Sequence, residues 1–336
     1  MTKVSNYLND SSKQSEVSEF SLTGGVKGGR SCTVHCPATV ANLVCGFDIL
    51  GMALNEPYDI MTMKFVDGPG VVIHNNDDFN LPTEAEKNVA GVVLLSIIEK
   101  LNYKIGFEVS IEKHIKPGSG IGSSAASAAG AAVAANHLLG NIFSANELIQ
   151  FAMNGEKLAS GVKHADNITP CILGGVSLIR SIHPLDIVPL ASPDLYVTVV
   201  HPQIEVRTSD ARQILKKQVL LKDAIRQWGN IAGLVAGFLK NDFDLIGRSL
   251  EDVIIEPIRS ILIPGFDEVK ARCKEAGALG GGISGSGPSI FMLSKDQVAA
   301  KAVAEVMKNV YERIGIEYFI YVTTINKKGV EIVSNE

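Results

Sequence analysis

The sequence predicts an α+β protein built from two domains. Three observations lead there. The chain has 336 residues, too many for one ordinary core and suited to two domains of about 100–200 residues each. Strand-like and helix-like segments alternate without a long βαβ series, which argues against a doubly wound sheet. No short fixed period recurs along the chain, which argues against a solenoid.

The elements follow in order. Residues 1–29 are dominated by Ser, Lys, Gly and Glu and read as a flexible N-terminal extension. They hold no apolar run long enough for a signal peptide. From Ser31 the run SCTVHCPATVANLVCGFDILGMAL predicts a strand, a bend at Pro37 and Gly46, and a second short segment. YDIMTMKFV and VVIH are further strands, separated by the turn Asp67-Gly68-Pro69-Gly70. KNVAGVVLLSIIEKL has helical spacing, and FEVSIEKHI alternates as a strand. A glycine-rich turn then opens an alanine-rich helix. The next helix begins with Ser144 and Glu147 placed as a capping box. Gly174-Gly175 leads into the strand VSLIR. Prolines and a histidine in residues 181–193 mark the expected domain boundary, giving an N-terminal domain at 30–188 and a C-terminal domain at 189–336. The second half predicts a strand at LYVTVVHP, helices between residues 210 and 253, a helix at ARCKEAGALG, a glycine run leading into SIFML, and a last helix and strand.

Composition narrows the function classes. Apolar residues make up 46% and charged residues 20%, an ordinary globular balance, and net charge is −5. Such a chain has no electrostatic reason to hold a nucleic acid or an anionic membrane. Its longest apolar stretch, residues 89–98, is far short of the roughly 20 residues that span a bilayer. Five cysteines, an odd number, read as free thiols in a reducing compartment, so the expected location is cytoplasmic. Cys32, His35, Cys36 and Cys45 cluster in sequence. Their C-x3-C spacing has no second pair to complete four ligands, so buried thiols are expected in place of zinc.

The strongest functional signal is Pro117-Gly118-Ser119-Gly120-Ile121-Gly122-Ser123-Ser124-Ala125-Ala126. Glycines let the backbone take positive φ and approach a ligand closely. The helix starting at the two serines has unpaired first amides and a favourable dipole, a site for an anion such as a triphosphate. No lysine follows the glycines, so this is not a Walker loop. A second run, residues 280–288, contains Gly280, Gly282 and Gly285 in a G-x-G-x-x-G match. It leads into a strand where a dinucleotide site needs a helix.

These motifs resemble the GHMP kinases, the superfamily of galactokinase and of homoserine, mevalonate and phosphomevalonate kinases. The central motif is residues 117–126. The first looks like Cys36-Pro37-Ala38-Thr39-Val40-Ala41-Asn42-Leu43 followed by Cys45-Gly46-Phe47-Asp48. The third looks like Gly282-Ile283-Ser284-Gly285-Ser286-Gly287-Pro288-Ser289. The resemblance covers about residues 30–333. It implies a two-domain GHMP kinase fold, with a ribosomal protein S5 domain 2-like N-terminal domain, a ferredoxin-like C-terminal domain and ATP between them. Homoserine kinases in particular are resembled at Glu56-Pro57-Tyr58-Asp59, Lys87-Asn88-Val89-Ala90, Lys163-His164-Ala165-Asp166-Asn167, Asp210-Ala211-Arg212 and Ile255-Glu256-Pro257-Ile258-Arg259.

That resemblance implies transfer of a phosphoryl group from ATP to the side-chain hydroxyl of L-homoserine, a step in threonine biosynthesis. The zwitterionic acceptor calls for an arginine fork on its carboxylate, with Arg259 and Arg212 the candidates. Asp48 suits its ammonium, and Asn42, His164 and Asp166 complete the expected acceptor site. ATP is expected on residues 117–126 with Asn88 and Lys113; Lys113 also reads as a surface residue. Mg2+ is expected on Ser124 and Glu156. Some relatives use an aspartate base, where homoserine kinases carry an asparagine that here looks like Asn167, so the γ-phosphate is expected to take the proton while Asn167, Thr208 and Arg212 position groups and stabilise charge. A homodimer is implied by the same resemblance. Two other readings are a kinase for a different small alcohol and a non-catalytic ATP sensor.

Overall fold

The computed structural model describes residues 30–102, 105–206 and 208–335. The extension expected at residues 1–29 lies outside the described residues. β-branched and apolar residues form β1 (Ser31–Ala41) and β2 (Leu50–Val66), an antiparallel pair. Their register slips between Pro37 and Thr39, because proline has no N–H for the ladder. There Thr39 turns its N–H to Ile121 O at 3.1 Å, tying β1 to the glycine-rich loop.

β2 differs from expectation. Residues 50–54 and 58–66 were expected as separate segments and form one strand of 17 residues. It serves two partners in turn: β5 (Val176–Ile182) beside Leu50–Met52, and β4 (Gly106–Glu112) beside residues 60–66. β3 (Gly70–Asn75) adds parallel to β4 at the edge. β6 (Leu185–Leu190) pairs with β5 and β11 (Glu331–Asn335) with β1, completing a seven-stranded sheet. The boundary expected at residues 188 and 189 falls within β6, and the change of sheet comes just after it.

Helices α1 (Val89–Leu101), α2 (Ser123–Leu138), α3 (Ala145–Ser160) and α4 (Ile168–Leu173) belong to this half. α2 is buried along almost its whole length, among α1, α3, α4 and the sheet. Its small residues permit that depth: a Cβ added at Gly130 would stand 2.3 Å from Cys36 Sγ. The capping box of α3 forms as expected, with Ser144 and Glu147 bonded reciprocally.

β7 (Tyr196–Pro202), β8 (Gly280–Ile283), β9 (Ile290–Ser294) and β10 (Tyr318–Thr324) form a second, antiparallel sheet in the order β10-β7-β9-β8. Between them run α5 (Thr208–Gln213), α6 (Leu221–Lys240), α7 (Phe243–Ser249), α8 (Glu256–Arg259), α9 (Phe266–Glu275) and α10 (Gln297–Ile314). The glycine run at residues 280–288 leads into β9, as its pattern required. One continuous core joins Met61 and Phe107 of the first sheet and Leu94 of α1 to Val197 and Phe291 of the second sheet. A satellite core around Tyr311, Met307 and Phe266 packs α9 and α10 on the second sheet. All five cysteines are buried. Among the described residues no helix is long and apolar enough to cross a membrane.

Candidate active site

Gly118, Gly120 and Gly122 take positive φ of 76°, 84° and 76°, so the loop can fold back before α2 begins at Ser123. Two of these glycines are also forced by close approach. A Cβ on Gly120 would lie 2.5 Å from Gly287 O, and one on Gly122 would lie 2.0 Å from Thr39 Oγ1. Gly122 caps α2 without a side-chain bond, so the first amides of a 16-residue helix open toward the cavity.

The three glycine- and proline-bearing motifs meet here. Ser284 Oγ donates to Gly120 O at 2.8 Å, and Ser289 N donates to Ser119 O at 3.2 Å. Asn42 joins the first motif to the third: Nδ2 donates to Gly285 O at 2.8 Å while Oδ1 accepts from Asp48 N at 3.0 Å. Asn42, Leu43, Val44 and Asp48 all have positive φ. That is a costly conformation for side chains with a Cβ, above all for β-branched Val44. The Asn42 clasp holds this loop and so aims Asp48.

A charged cradle follows. Arg212 Nη2 donates to Asp48 Oδ1 at 2.9 Å, to Oδ2 at 3.1 Å and to His164 Nε2 at 3.1 Å. An arginine only donates, so His164 Nε2 is an acceptor and the proton sits on Nδ1, 3.7 Å from Asp48. Burial lowers the His164 pKa, Asp48 opposes that, and Arg212 and Arg259 add to it; the ring is neutral at pH 7. Arg259 is only 3% exposed. Its Nε donates to Ala211 O and its Nη1 to Gly285 O, both at 3.0 Å. Both guanidiniums lie over Phe47, Arg259 at 4.9 Å and Arg212 at 5.4 Å from the ring centre. The ring's quadrupole offsets part of the repulsion between two like charges. Burial and the Arg212 charge push the Arg259 pKa down to about 10, still protonated at neutral pH.

On the loop side, Ser124 Oγ donates to Glu156 Oε2 at 2.8 Å. Glu156 is buried despite its place on a surface-like helix. Asp166 is also buried, and burial, Asp48 and Glu156 push its pKa up to about 7. Asp48, Glu156 and Asp166 line the same cavity as the Ser124 hydroxyl. Among the described residues no group of three or more His, Cys, Asp or Glu side chains stands close enough to hold a metal ion. Thr39 Oγ1 donates to Asn167 Oδ1 at 2.7 Å, which leaves the Asn167 amide NH2 as its end for a ligand. Thr208 Oγ1 stands 3.1 Å from Ser286 Oγ on the opposite wall.

The cavity holds about 410 Å³. It gathers Asn42, Asp48, Asn88, Lys113, Glu156, His164, Asp166, Asn167, Thr208, Arg212 and Arg259 with Pro117, Gly118, Gly120, Gly122, Ser123 and Ser124. Ser119, Ile121, Ala125 and Ala126 of the same loop are buried and are not among the residues that line the cavity. Lys113 also differs from the surface alternative. It is buried, ion-paired with Asp59, and donates to Ser123 O at 2.9 Å and Ser127 Oγ at 3.1 Å. Its three donors are thereby engaged in bracing the start of α2. Asn88 caps α1 through Ala90 N and Gly91 N and donates to Pro82 O.

Sequence reasoning passed over Thr39, Phe47 and Ser286, whose only signal was membership of the motifs. It also passed over Gln227 and Asp252. Gln227 Nε2 donates to Cys45 O at 2.8 Å and to Asp252 Oδ1 at 3.0 Å. Asp252 in turn accepts from the N–H groups of Ile254, Ile255 and Glu256 ahead of α8. This buried pair links the loop carrying Phe47 and Asp48 to the short helix carrying Arg259. Glu256, ion-paired with Lys270, adds a second anchor by accepting from Ile283 N.

Comparison with known proteins covers both halves of the chain. The profile of the GHMP kinases N terminal domain matches residues 88–175, and that of the GHMP kinases C terminal region matches residues 234–313. A homoserine kinase of Chloroherpeton thalassium is 45% identical over 318 residues, which cover 90% of this chain and 100% of its own. One of Methanocella arvoryzae is 40% identical over 306 residues, 91% of this chain and 98% of its own. The crystal structure of homoserine kinase from Cytophaga hutchinsonii superposes with a TM-score of 0.87 at 50% identity, covering 90% of this chain and 97% of that one. The L. major mevalonate kinase structure, at 18% identity and TM-score 0.66 over 87% of this chain and 95% of its own, shares the fold.

Proposed function

The chain belongs to the GHMP kinase family, within its homoserine kinase branch, and from that premise we propose that it transfers the γ-phosphoryl group of ATP to the side-chain hydroxyl of L-homoserine, giving O-phospho-L-homoserine and ADP. One observation carries this reading best. A carboxylate, Asp48, and two guanidiniums, Arg212 and Arg259, converge around Phe47 beside an anion-binding helix terminus. That charge pattern complements a small zwitterion and not a sugar or a simple hydroxy acid.

In this reading the triphosphate lies along Pro117, Gly118, Gly120, Gly122 and the amides of Ser123 and Ser124. The base of the nucleotide rests near Asn88, against the apolar wall of Leu81, Pro82, Val89 and Leu158. Mg2+, held by Ser124 and Glu156 with phosphate oxygens and water, would neutralise developing charge. Lys113 supports the loop from beneath. Arg259 takes the acceptor carboxylate, with Ala211 O and Gly285 O fixing its plane. Asp48 takes the ammonium, and Asn42, His164 and Asp166 border it. Asn167 orients the hydroxyl through Nδ2, with Thr208 and Arg212 near the transferring group. The γ-phosphate then takes the hydroxyl proton.

A second reading of the proton step has its own observation: the Asp166 pKa of about 7 suits a general base at neutral pH. Against it, Asp166 Oδ1 already accepts from Asn167 N at 3.1 Å. The protein acts in the cytoplasm as a homodimer, as the family resemblance implies, in threonine biosynthesis. Phosphorus NMR of a mixture of protein, ATP, Mg2+ and L-homoserine tests the proposal. ADP appearing with an equal amount of a phosphomonoester supports it. ADP appearing with inorganic phosphate alone would refute the acceptor.

A further inference from the structure

Asn167 stands at the N-cap of α4 and does not cap it. Asparagine is among the best capping residues, its side-chain oxygen accepting from an amide two or three positions on. Here Asn167 has αR backbone angles, φ −91° and ψ −42°, and makes no side-chain cap bond. Its Oδ1 accepts instead from Thr39 Oγ1 at 2.7 Å, 128 positions away in the chain. The backbone N–H of Asn167 is held separately, donating to Asp166 Oδ1 at 3.1 Å. The Asn167 side chain lines the cavity, and Thr39 orients it where its own helix does not.

Thr39 is out of reach of a ligand. It is fully buried and is not among the residues that line the cavity. Its backbone is pinned by the bond from its N–H to Ile121 O of the glycine-rich loop, at 3.1 Å. A β-branched side chain on a fixed backbone has few rotamers, so the hydroxyl has a set direction. Gly122 closes the arrangement from the loop side: a Cβ there would stand 2.0 Å from Thr39 Oγ1 and 3.3 Å from Asn167 Oδ1. The hydroxyl has one proton to give, and among the described residues Asn167 Oδ1 is its acceptor. Giving it there turns Nδ2 toward the cavity. A reversed amide would leave that buried proton without an acceptor, which is costly.

We propose that Thr39 is a positioning residue for phosphoryl transfer: its hydroxyl fixes which end of the Asn167 amide faces the acceptor, and its N–H ties that choice to the seating of the glycine-rich loop. This rests on the reading above in which Nδ2 orients the hydroxyl that is phosphorylated. Without the Thr39 proton the amide is free to present either end.

A double-mutant cycle on the full chain tests this. The variants are Thr39→Val, which keeps the shape and removes the hydroxyl, Thr39→Ser, which keeps the hydroxyl, and Asn167→Ala, alone and combined with Thr39→Val. Circular dichroism confirms that each is folded. Thr39→Val should lose about 3- to 12-fold in kcat, the worth of one neutral hydrogen bond, with KM for ATP little changed. Thr39→Ser should recover most of that loss, and Thr39→Val should cost nothing further once Asn167 is alanine. Spectra of protein labelled with 15N-asparagine give a second readout that needs no turnover. The Asn167 side-chain NH2 pair, identified by its loss in Asn167→Ala, should shift in Thr39→Val and keep its place in Thr39→Ser. A wild type that phosphorylates no homoserine removes the acceptor reading, and the amide spectra then decide whether Thr39 sets the amide. Equal kcat losses from Thr39→Val with and without Asn167, a Thr39→Ser variant as slow as Thr39→Val, or an Asn167 NH2 pair unmoved in Thr39→Val would overturn the proposal.

Discussion

Replacing Arg259 by Lys keeps a positive charge and removes a fork. In the structure Nε and Nη1 are fixed on Ala211 O and Gly285 O, each at 3.0 Å, beneath the Phe47 ring. Among the described residues Nη2 has no protein partner and is the group assigned to the substrate carboxylate. A lysine cannot hold both carbonyls and the carboxylate at once. Losing one charge-assisted hydrogen bond is worth about 1.5–3 kcal/mol. At about 1.36 kcal/mol per factor of ten, kcat/KM for L-homoserine should fall about 10- to 150-fold. The two backbone bonds are worth about 0.5–1.5 kcal/mol each, so stability should also fall by a few kcal/mol. ADP release is measured against homoserine at saturating ATP, then against the amino diol in which the carboxylate is reduced to an alcohol. The variant should lose its factor with homoserine and little with the diol, and KM for ATP should not move. Equal losses on both acceptors would refute the assignment, and so would an unchanged KM for homoserine in a folded variant.

Three further outcomes follow from the same geometry. Gly122→Ala puts a Cβ 2.0 Å from Thr39 Oγ1 at a φ of +76°; the left-handed backbone alone costs about 1–2 kcal/mol, so thermal stability should drop and KM for ATP rise, and an unchanged KM for ATP would contradict the loop assignment. Burial pushes the Asp166 pKa in the folded chain up to about 7 from its ordinary 3.8, so the folded state holds its proton more tightly: stability is intact below about pH 4 and falls as pH rises to about 7, by up to about 4 kcal/mol at 1.36 kcal/mol per pKa unit. Asp166→Asn should therefore be isostable with wild type near pH 4 and more stable at pH 8, while a kcat lower by several orders of magnitude with unchanged binding would make Asp166 the base. Gln227→Leu cuts the bonds donated to Cys45 O and Asp252 and should raise KM for homoserine more than KM for ATP, and Gln227→Glu, which keeps the size but loses the donor and faces the Asp252 carboxylate, should give no rescue; parallel changes in both constants would make Gln227 merely structural.

Local signals made part of this molecule legible. The glycine loop, the helix start at Ser123 and the α3 capping box each depend on residues a few positions apart, and each lies where the pattern put it. The long β2 strand was not legible, because its continuity depends on two partner strands drawn from residues 106–112 and 176–182. Site chemistry divides the same way. Arg212, Arg259, Asp48 and His164 stand in recognisable motifs and meet in one cavity. The contacts that tune them span long separations: Thr39 to Asn167, Ser124 to Glu156, and Gln227 to Cys45. Nothing in local periodicity encodes such pairs. Lys113 shows the limit most clearly. Its strand position allowed either a surface or a ligand role, and only the tertiary structure reveals Asp59, Ser123 and Ser127 around its ammonium.

The central claim is that this cradle selects a small zwitterionic alcohol. Its most direct test is kcat/KM for ATP-dependent phosphorylation of L-homoserine beside L-serine, L-threonine, mevalonate and galactose, under one buffer with Mg2+. The account predicts turnover dominated by L-homoserine, with mevalonate and galactose near background because each leaves Asp48 without an ammonium to bind. Comparable turnover of mevalonate or galactose, or tight ATP binding with no acceptor turned over, would contradict it.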